Sequence, residues 1–528
     1  MNPLRTIWTH WIPGLAPALL AGSIAVCLGG CSNAPPRHVP AAHPNVIVIL
    51  VDDLGYGDVN LGIEGIDAFQ NPYIKTPNLA ALAAEGLVLT HHYAAAPVCS
   101  PSRAGLLTGR TPARHNIHLY IRDLLDNERY FLHGEEVTIA ETLKQAGYRT
   151  AVFGKWHLNG ADWEDRESWT GWTGSYPKQQ GFDQGIVSKE NPHYTRELQV
   201  NTQQVPGDFF DLEGRPLGPL KGYTTDIITD RAIEWIGDGS ASEQPFFLYL
   251  PYDAVHVRVA APDRFLLMYD TGDPRKDMYF ANVSHLDEAI GRLLLHLERA
   301  SLADDTIVVF TSDNGPDVLN RWEATYFCYG VSYPLNGQKY QLFEGGIRVP
   351  GIVRWPGMIE PRVSHEPNST LDLLPTFADI AEVGIPTDRT IDGASLKDLW
   401  LADSPVQRTQ PLYWQYENHR TFQYVGEGYD RRFDNQLPEL TPPDRPNTVI
   451  RDGDYVLRGF HSEQFSVPER FELYNIVEDP GEETELSATE PGRLREMKAA
   501  LLAIYADVAS DSSKTKQAIT DRRGSIRF

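Results

Sequence analysis

Four short apolar segments, each followed at once by polar or charged residues, most constrain the fold of this chain. Residues 45–51 read N-V-I-V-I-L-V, an uninterrupted run rich in β-branched residues. Such a run is typical of a strand buried on both faces of a mostly parallel sheet. Helix-like stretches separate it from three further apolar segments, so we predict an α/β fold with a large mixed, mostly parallel sheet. The further strands are predicted at 150–154, 245–250 and 306–311, and the helices at 76–86, 138–147, 225–236 and 277–297.

Each predicted strand ends in residues that can carry chemistry. Asp52 and Asp53 follow the first strand, and adjacent carboxylates repel each other unless a cation or hydrogen-bond donors neutralise them. A single Asp could instead cap a turn, but capping accounts poorly for a pair. In open α/β sheets ligands bind at the carboxyl edge, so we predict a site there. The residues after the other strands include Lys155 and His157, Asp253 and His256, and Asp313 and Asn314.

Residues 99–110 read C-S-P-S-R-A-G-L-L-T-G-R and predict a helix that begins near Pro101. Cys99 then lies near a helix N-terminus, where backbone N–H groups and the helix dipole favour an anion. Arg103 follows one turn inside the helix. Two alternatives stay open, a buried structural cysteine and a disulfide with Cys328.

The motifs together resemble the type I sulfatases of the alkaline phosphatase superfamily, over nearly all of residues 45–508. They are D-D with G-Y-G, T-P-N-L, C-S-P-S-R with T-G-R, G-K-W-H, D-N-G and E-G-G-I-R-V-P. The resemblance implies an alkaline-phosphatase-like α/β sandwich, its sheet flanked by helices, for residues 45–400. It also implies a smaller C-terminal domain, residues 401–508, with a short antiparallel sheet and a helix. A loose tail is expected at 509–528.

The resemblance further implies that Cys99 is oxidised to formylglycine by a formylglycine-generating enzyme. Asp52, Asp53, Asp313 and Asn314, with residue 99, would hold a divalent cation. This oxygen-rich set favours Ca²⁺ first and Mg²⁺ second, since zinc more often recruits His or Cys. The other implied catalytic residues are Arg103, Lys155 and Lys339 for binding charge, His256 with Lys339 for protonating the leaving alcohol, and His157 as a base.

Two positions depart from the family pattern. His256 is followed by Val257 and Arg258 where the family has Thr-Pro, and Lys339 is followed by Tyr340 where the family has glycine.

The predicted substrate is a sulfate monoester on a carbohydrate or polysaccharide. His193, Arg321 and Trp322 are candidate substrate contacts, because they lie in segments rich in Trp, Tyr and Arg. Two alternatives stay open: a phosphodiesterase or phosphonate hydrolase of the same superfamily, and a non-catalytic glycan-binding lipoprotein. The formal net charge of -24 argues against a nucleic-acid partner, because a phosphate backbone calls for a basic face.

The N-terminal 31 residues predict an export signal. An apolar stretch at 11–28 ends in Leu-Gly-Gly before Cys31, which resembles the bacterial lipobox. We therefore expect cleavage before Cys31, lipidation of its sulfur, a tether at 32–44, and a lipid-anchored enzyme of the bacterial cell envelope, periplasmic or on the cell surface. A permanent membrane-spanning helix is the alternative.

Overall fold

A nine-stranded mixed sheet forms the centre of the described part of the molecule, in a computed structural model of the chain. The structure describes residues 43–121, 131–159, 176–188, 209–217, 220, 222–239, 244–256, 259–317, 328–416, 446–462 and 466–525. The strand order is β10-β2-β9-β8-β1-β7-β4-β5-β6. Its strands are β1 (Asn45–Val51), β2 (Leu87–Leu89), β4 (Arg149–Lys155), β5 (Gln184–Ser188), β6 (Phe209–Phe210), β7 (Phe246–Pro251), β8 (Thr306–Ser312), β9 (Gly351–Arg354) and β10 (Arg362–Ser364).

The four strands that lead to the predicted site, β1, β4, β7 and β8, run parallel, and so does the neighbouring strand β5. β1 pairs in parallel with β7 and β8, and β4 pairs in parallel with β7 and β5. β9 is antiparallel to both of its neighbours, and β6 is antiparallel to β5. The predicted large, mixed and mostly parallel sheet is therefore confirmed. A two-stranded sheet, β3 (His92–Tyr93) with β11 (Asn368–Ser369), lies outside it.

Helices cover both faces of the large sheet, which explains why β1 is apolar at every position after Asn45. Ile47 and Ile49 belong to one buried cluster, and Val48 and Leu50 belong to another on the opposite face. The first cluster includes residues of α1 (Pro77–Ala84), α4 (Thr224–Asp238) and α6 (Pro274–Arg299). The second includes residues of α2 (Cys99–Thr108), α3 (Ile139–Gln145), α8 (Leu373–Ile380) and α9 (Lys397–Ala402). Two further short helices are α5 (Asp263–Leu266) and α7 (Glu344–Ile347).

The C-terminal antiparallel sheet packs on both of its faces. Its strands are β12 (Leu412–Gln415), β13 (Thr448–Asp452), β14 (Tyr455–Phe460) and β15 (Arg470–Asn475). One face is packed where Ile450 meets the C-terminal helix. The other face packs against the segment before Cys99, because Trp414 Nε1 donates a hydrogen bond to Ala94 O at 2.8 Å. The sheet therefore supports the segment that leads into α2.

The C-terminal helix α10 (Pro491–Ser525) is longer than the sequence suggested. A helix was predicted to end near residue 508, with a loose tail beyond it. The residues after 508 are mostly polar and cannot form a core, but they include Ala, Lys, Gln and Arg, which favour a helix. Asp511 lies on this extension and accepts a hydrogen bond from Arg110 at 2.6 Å. The helix therefore continues past residue 508, near which we expected it to end.

The predicted signal, Cys31 and most of the tether lie outside the described residues. Within the described residues, no helix combines the length and the apolar character that crossing a membrane requires.

Candidate active site

The carboxyl ends of β1, β4, β7 and β8 meet at one edge of the large sheet, and nine predicted site residues come together there. The parallel register of these strands explains the convergence, because β1 lies between β7 and β8 and each strand ends at the same edge. The nine residues are Asp52, Asp53, Cys99, Arg103, Lys155, His256, Asp313, Asn314 and Lys339.

Cys99 is the first residue of α2 and faces the two acids after β1. Its Sγ donates to Asp52 Oδ1 at 3.2 Å and lies 4.0 Å from Asp53 Oδ1. The Lys155 ammonium lies 3.8 Å from the same sulfur. Val98 is extended and provides no side-chain cap, so the helix N-terminus faces this site without a capping side chain. Burial and the neighbouring Asp52 raise the pKa of the Cys99 thiol well above its usual value, which leaves the unmodified thiol a poor nucleophile.

Three buried cations neutralise the buried carboxylates. Lys155 Nζ donates to Asp52 Oδ2 at 2.5 Å, and Lys339 Nζ donates to Asp53 Oδ2 at 2.7 Å. Arg103 donates through Nε to Asp313 Oδ2 at 2.9 Å, and its Nη1 donates to the Lys155 carbonyl oxygen at 2.8 Å. Arg103 is fully buried, so its position is fixed from several sides.

This environment shifts the pKa values of Asp52 and Asp53 in opposite directions. Burial raises the pKa of Asp52, but Lys155, His256 and Arg103 outweigh it and hold that pKa well below its usual value. Burial also raises the pKa of Asp53, to about 7, and Lys339 opposes the rise while Asp52 adds to it. Burial, aided by the neighbouring carboxylates, therefore outweighs the Lys339 ammonium at Asp53, whereas the nearby cations outweigh burial at Asp52.

The site has the oxygen ligands that a hard divalent cation requires. Asn314 donates through Nδ2 to Asp53 Oδ1 at 2.8 Å, while its buried Oδ1 has no hydrogen-bond partner among the described residues. Ligand atoms of Asp52, Asp53, Cys99 and His256 all lie within 4.8 Å of one another. Carboxylate and amide oxygens are the ligands that Ca²⁺ and Mg²⁺ prefer. The residues present therefore fit such an ion, and Asp52, Asp53, Asp313 and Asn314 would hold it. His256, which was predicted only as an acid, lies beside these acids, with Nε2 3.5 Å from Asp53 Oδ2.

His157 lies two residues beyond Lys155, and its link to the site runs through Ile121. Its backbone is left-handed, with φ 54°, and its Nε2 lies 2.9 Å from Ile121 O. The Ile121 N–H in turn donates to Ser100 Oγ at 3.0 Å, next to Cys99. The candidate substrate residues His193, Arg321 and Trp322 lie outside the described residues.

Cys99 and Cys328 are both free and buried, so the alternative of a disulfide between them is excluded. Cys328 Sγ instead donates weakly to Val255 O at 3.6 Å, beside His256.

Sequence reasoning did not single out two acids near the site. Asp317 is buried, and its Oδ2 lies 3.8 Å from Lys339 Nζ. Its position three residues after Asn314 was the available signal. Asp253 was noted only as a strand-end residue, yet it accepts a hydrogen bond from Ser188 Oγ at 2.7 Å. Ser188 ends β5 and is the register partner of Lys155, which only the strand pairing reveals.

An α/β sandwich whose sheet edge joins paired acids, lysines, a histidine and a helix-terminal cysteine defines a hydrolase of the alkaline-phosphatase-like superfamily. The sulfatase family model matches residues 44–383, and a model described as N-sulphoglucosamine sulphohydrolase, C-terminal, matches residues 337–435. The chain belongs to the sulfatase family and is a sulfuric ester hydrolase.

Two relatives illustrate the similarity in sequence. The mouse (Mus musculus) N-acetylgalactosamine-6-sulfatase is 33% identical over 391 residues, which cover 71% of this chain and 69% of that protein. Human (Homo sapiens) arylsulfatase A is 33% identical over 392 residues, which cover 71% of each chain.

Two solved structures share the fold. The crystal structure of Ps i-CgsB in complex with k-i-k-neocarrahexaose has a TM-score of 0.68 and 24% identity, and covers 87% of this chain and 92% of that one. The structure of BT4656 in complex with its substrate D-glucosamine-2-N,6-O-disulfate has a TM-score of 0.60 and 22% identity, and covers 89% of this chain and 98% of that one.

Proposed function

We propose that this sulfatase hydrolyses a sulfate monoester on a carbohydrate, with a formylglycine made from Cys99 and a divalent cation, Ca²⁺ before Mg²⁺. The position of the Cys99 side chain carries the proposal. Its sulfur lies within 4.0 Å of Asp52, Asp53 and Lys155, at the start of a helix and beside the acids that suit a cation.

The chemistry starts from two groups that the polypeptide would hold at this edge. When present, a formylglycine supplies a hydrated aldehyde as nucleophile, and the cation supplies a Lewis acid for a sulfate oxygen. Asp52, Asp53, Asp313 and Asn314 are the side chains that hold the cation. Fixed positive groups aimed at developing charge stabilise a transition state without reorganisation. Arg103, Lys155 and Lys339 have that role toward the sulfate ester.

Two histidines move the protons. His256, with Lys339 beside it on Asp53, donates a proton to the oxygen of the leaving alcohol. His157 would accept a proton from a hydroxyl of residue 99 when that residue is a hydrated aldehyde. Both lie at strand ends, His256 after β7 and His157 after β4.

Sulfated carbohydrate is the substrate class with the best support. The relative from mouse is named for the 6-sulfate of N-acetylgalactosamine, and the BT4656 structure holds a sulfated glucosamine. His193, Arg321 and Trp322 stay predictions for contacts to the sugar. A formylglycine-generating enzyme is the partner needed during maturation.

Steady-state kinetics on a matched panel test this function. The panel contains an aryl sulfate, defined sulfated oligosaccharides and a phosphate diester, and the peptide that contains residue 99 is weighed in parallel. We expect the highest kcat/KM on a sulfated oligosaccharide, together with the mass of an aldehyde in place of a thiol. A higher kcat/KM on the phosphate diester would identify a phosphodiesterase instead. A thiol at Cys99 without turnover of any ester would favour a glycan-binding protein.

We also propose that the mature protein is a lipoprotein of the bacterial cell envelope. The support is the Leu-Gly-Gly-Cys sequence that ends at Cys31, which resembles a lipobox. Mass spectrometry of the mature N-terminus tests it. A lipid on Cys31 is expected, and an unlipidated terminus further along the chain would refute the anchor.

A further inference from the structure

Tyr340 has a backbone conformation that a bulky residue rarely adopts. Its φ is 71°, in the left-handed region, where the Cβ of an L-residue crowds the following carbonyl oxygen. The family resemblance predicts glycine here, and glycine adopts this region without strain. A bulky residue persists in such a conformation only where its surroundings determine it, and such positions cluster at functional sites. The contacts of Tyr340 should therefore explain its presence.

The backbone of Lys339 and Tyr340 joins two segments of the active site. The Tyr340 N–H donates to Pro97 O at 2.8 Å, two residues before Cys99. The Lys339 N–H donates to Pro316 O at 3.1 Å, in the loop that follows β8. Successive side chains of an extended chain point to opposite faces, whereas a left-handed turn departs from this alternation. The turn at Tyr340 therefore allows the side chains of Lys339 and Tyr340 to lie on the same side of the backbone.

The Tyr340 ring lies beside the Lys339 ammonium. Lys339 Nζ is 5.4 Å from the centre of the ring, within the range of a cation–π contact. The ring is 6% exposed and packs in a cluster with Val98, so it is held in place on its other sides. The Tyr120 ring also contacts it, edge-on, with 6.1 Å between the ring centres.

We propose that the ring of Tyr340 is a positioning residue that holds the Lys339 ammonium against Asp53. Two carboxylates compete for this ammonium, Asp53 at 2.7 Å and Asp317 at 3.8 Å. The ring supplies a further contact that keeps the ammonium on Asp53. This inference rests on the role proposed for Lys339 toward the sulfate ester. A displaced ammonium weakens an interaction made in the transition state, so kcat should fall while KM changes little.

Three variants separate the aromatic contact from packing. Tyr340→Phe keeps the ring, whereas Tyr340→Leu removes it and keeps an apolar side chain on the same backbone. Tyr120→Leu is the matched control, because it removes a ring that touches Tyr340 and leaves the ring beside Lys339. We expect kcat to fall about thirtyfold in Tyr340→Leu, the size of a desolvated cation–π contact. Tyr340→Phe and Tyr120→Leu should stay within about threefold of the parent in kcat, and KM should hold in all three.

A double-mutant cycle on unfolding gives a second readout that needs no turnover. Tyr340→Leu and Lys339→Met are measured singly and together by denaturant unfolding, and their effects should be non-additive. Tyr120→Leu with Lys339→Met should be additive. Equal kcat in Tyr340→Leu and Tyr340→Phe, or additivity of the Tyr340 and Lys339 changes, would overturn the proposal. If the parent hydrolyses no sulfate ester, the proposed function fails, while the cycle still decides whether Tyr340 holds Lys339.

Discussion

Replacing Arg103 by lysine should impair both stability and turnover although the charge is kept. Arg103 is fully buried and donates to Asp313 Oδ2 through Nε at 2.9 Å and to the Lys155 carbonyl oxygen through Nη1 at 2.8 Å. Its Nη2 lies 2.7 Å from the same Asp313 oxygen and 3.6 Å from Asp52 Oδ1. A lysine ammonium on a flexible stem cannot reproduce this planar set of contacts.

The magnitude follows from the contacts that are lost. Arg103→Lys loses a charge-assisted hydrogen bond and a second contact, at about 1.5–3 kcal/mol each, so we expect a loss of about 3–6 kcal/mol in the free energy of unfolding. Misplacing one fixed donor in a pre-organised site costs about a hundredfold to a thousandfold in kcat. Denaturant unfolding and steady-state kinetics on an aryl sulfate measure the two effects.

Arg114→Lys is the matched control. Arg114 is also fully buried and donates to Asp392 through Nε and Nη2, both at 2.9 Å, but it lies outside the active site. We expect a similar loss of stability with kcat within about threefold of the parent. Parent-like turnover in Arg103→Lys, or an equal loss of turnover in both variants, would refute the assignment of Arg103 to the reaction.

Three further outcomes follow from the structure. Chelation should abolish turnover, and Ca²⁺ should restore it better than Mg²⁺, because the site offers several carboxylate and amide oxygens; titration of the stripped enzyme with each ion checks this. Burial raises the pKa of Glu136, but His115 and Arg110 outweigh burial and lower that pKa. The charged Glu136 therefore stabilises the fold above its unfolded pKa of about 4.3, and this stabilisation is lost as the pH falls. Glu136→Gln should cost about 3 kcal/mol at pH 7 and reduce the acid dependence of unfolding, and a parent-like pH profile would contradict the reasoning. Asp511→Ala should lower stability by about 1–3 kcal/mol and leave kcat unchanged, because Arg110 donates to Asp511 at 2.6 Å far along α10; unchanged unfolding would show that the helix extension contributes nothing.

The polar residues at the ends of the strands could be predicted to form a site, because the strands and the residues that follow them can be recognised from short stretches of sequence. Residues 46–51 are apolar at every position, since both faces of β1 are covered, and the residues after them must lie at the sheet edge. The parallel arrangement then brings Asp53 and Asp313 together, although 260 positions of sequence separate them. The C-S-P sequence predicted a helix that begins near Pro101, and α2 begins two residues earlier, at Cys99.

The remaining features depend on contacts between distant segments. The second packed face of the C-terminal sheet arises from Trp414 reaching Ala94, which no local pattern of residues 412–415 indicates. Asp511 is polar in sequence and becomes part of an ordered helix next to Arg110. The left-handed conformation of Tyr340 could not be predicted, because the intrinsic preference of tyrosine opposes it.

Turnover of a Cys99→Ala variant on an aryl sulfate, beside the parent protein from the same preparation, tests the central claim most directly. The account predicts that Cys99→Ala stays folded, with a denaturation midpoint close to that of the parent, and loses essentially all activity. Cys328→Ala, which removes the other buried thiol, should keep it. Near-parental activity in Cys99→Ala would contradict the account, because the acids at the ends of β1 and β8 would then serve a reaction that does not involve residue 99.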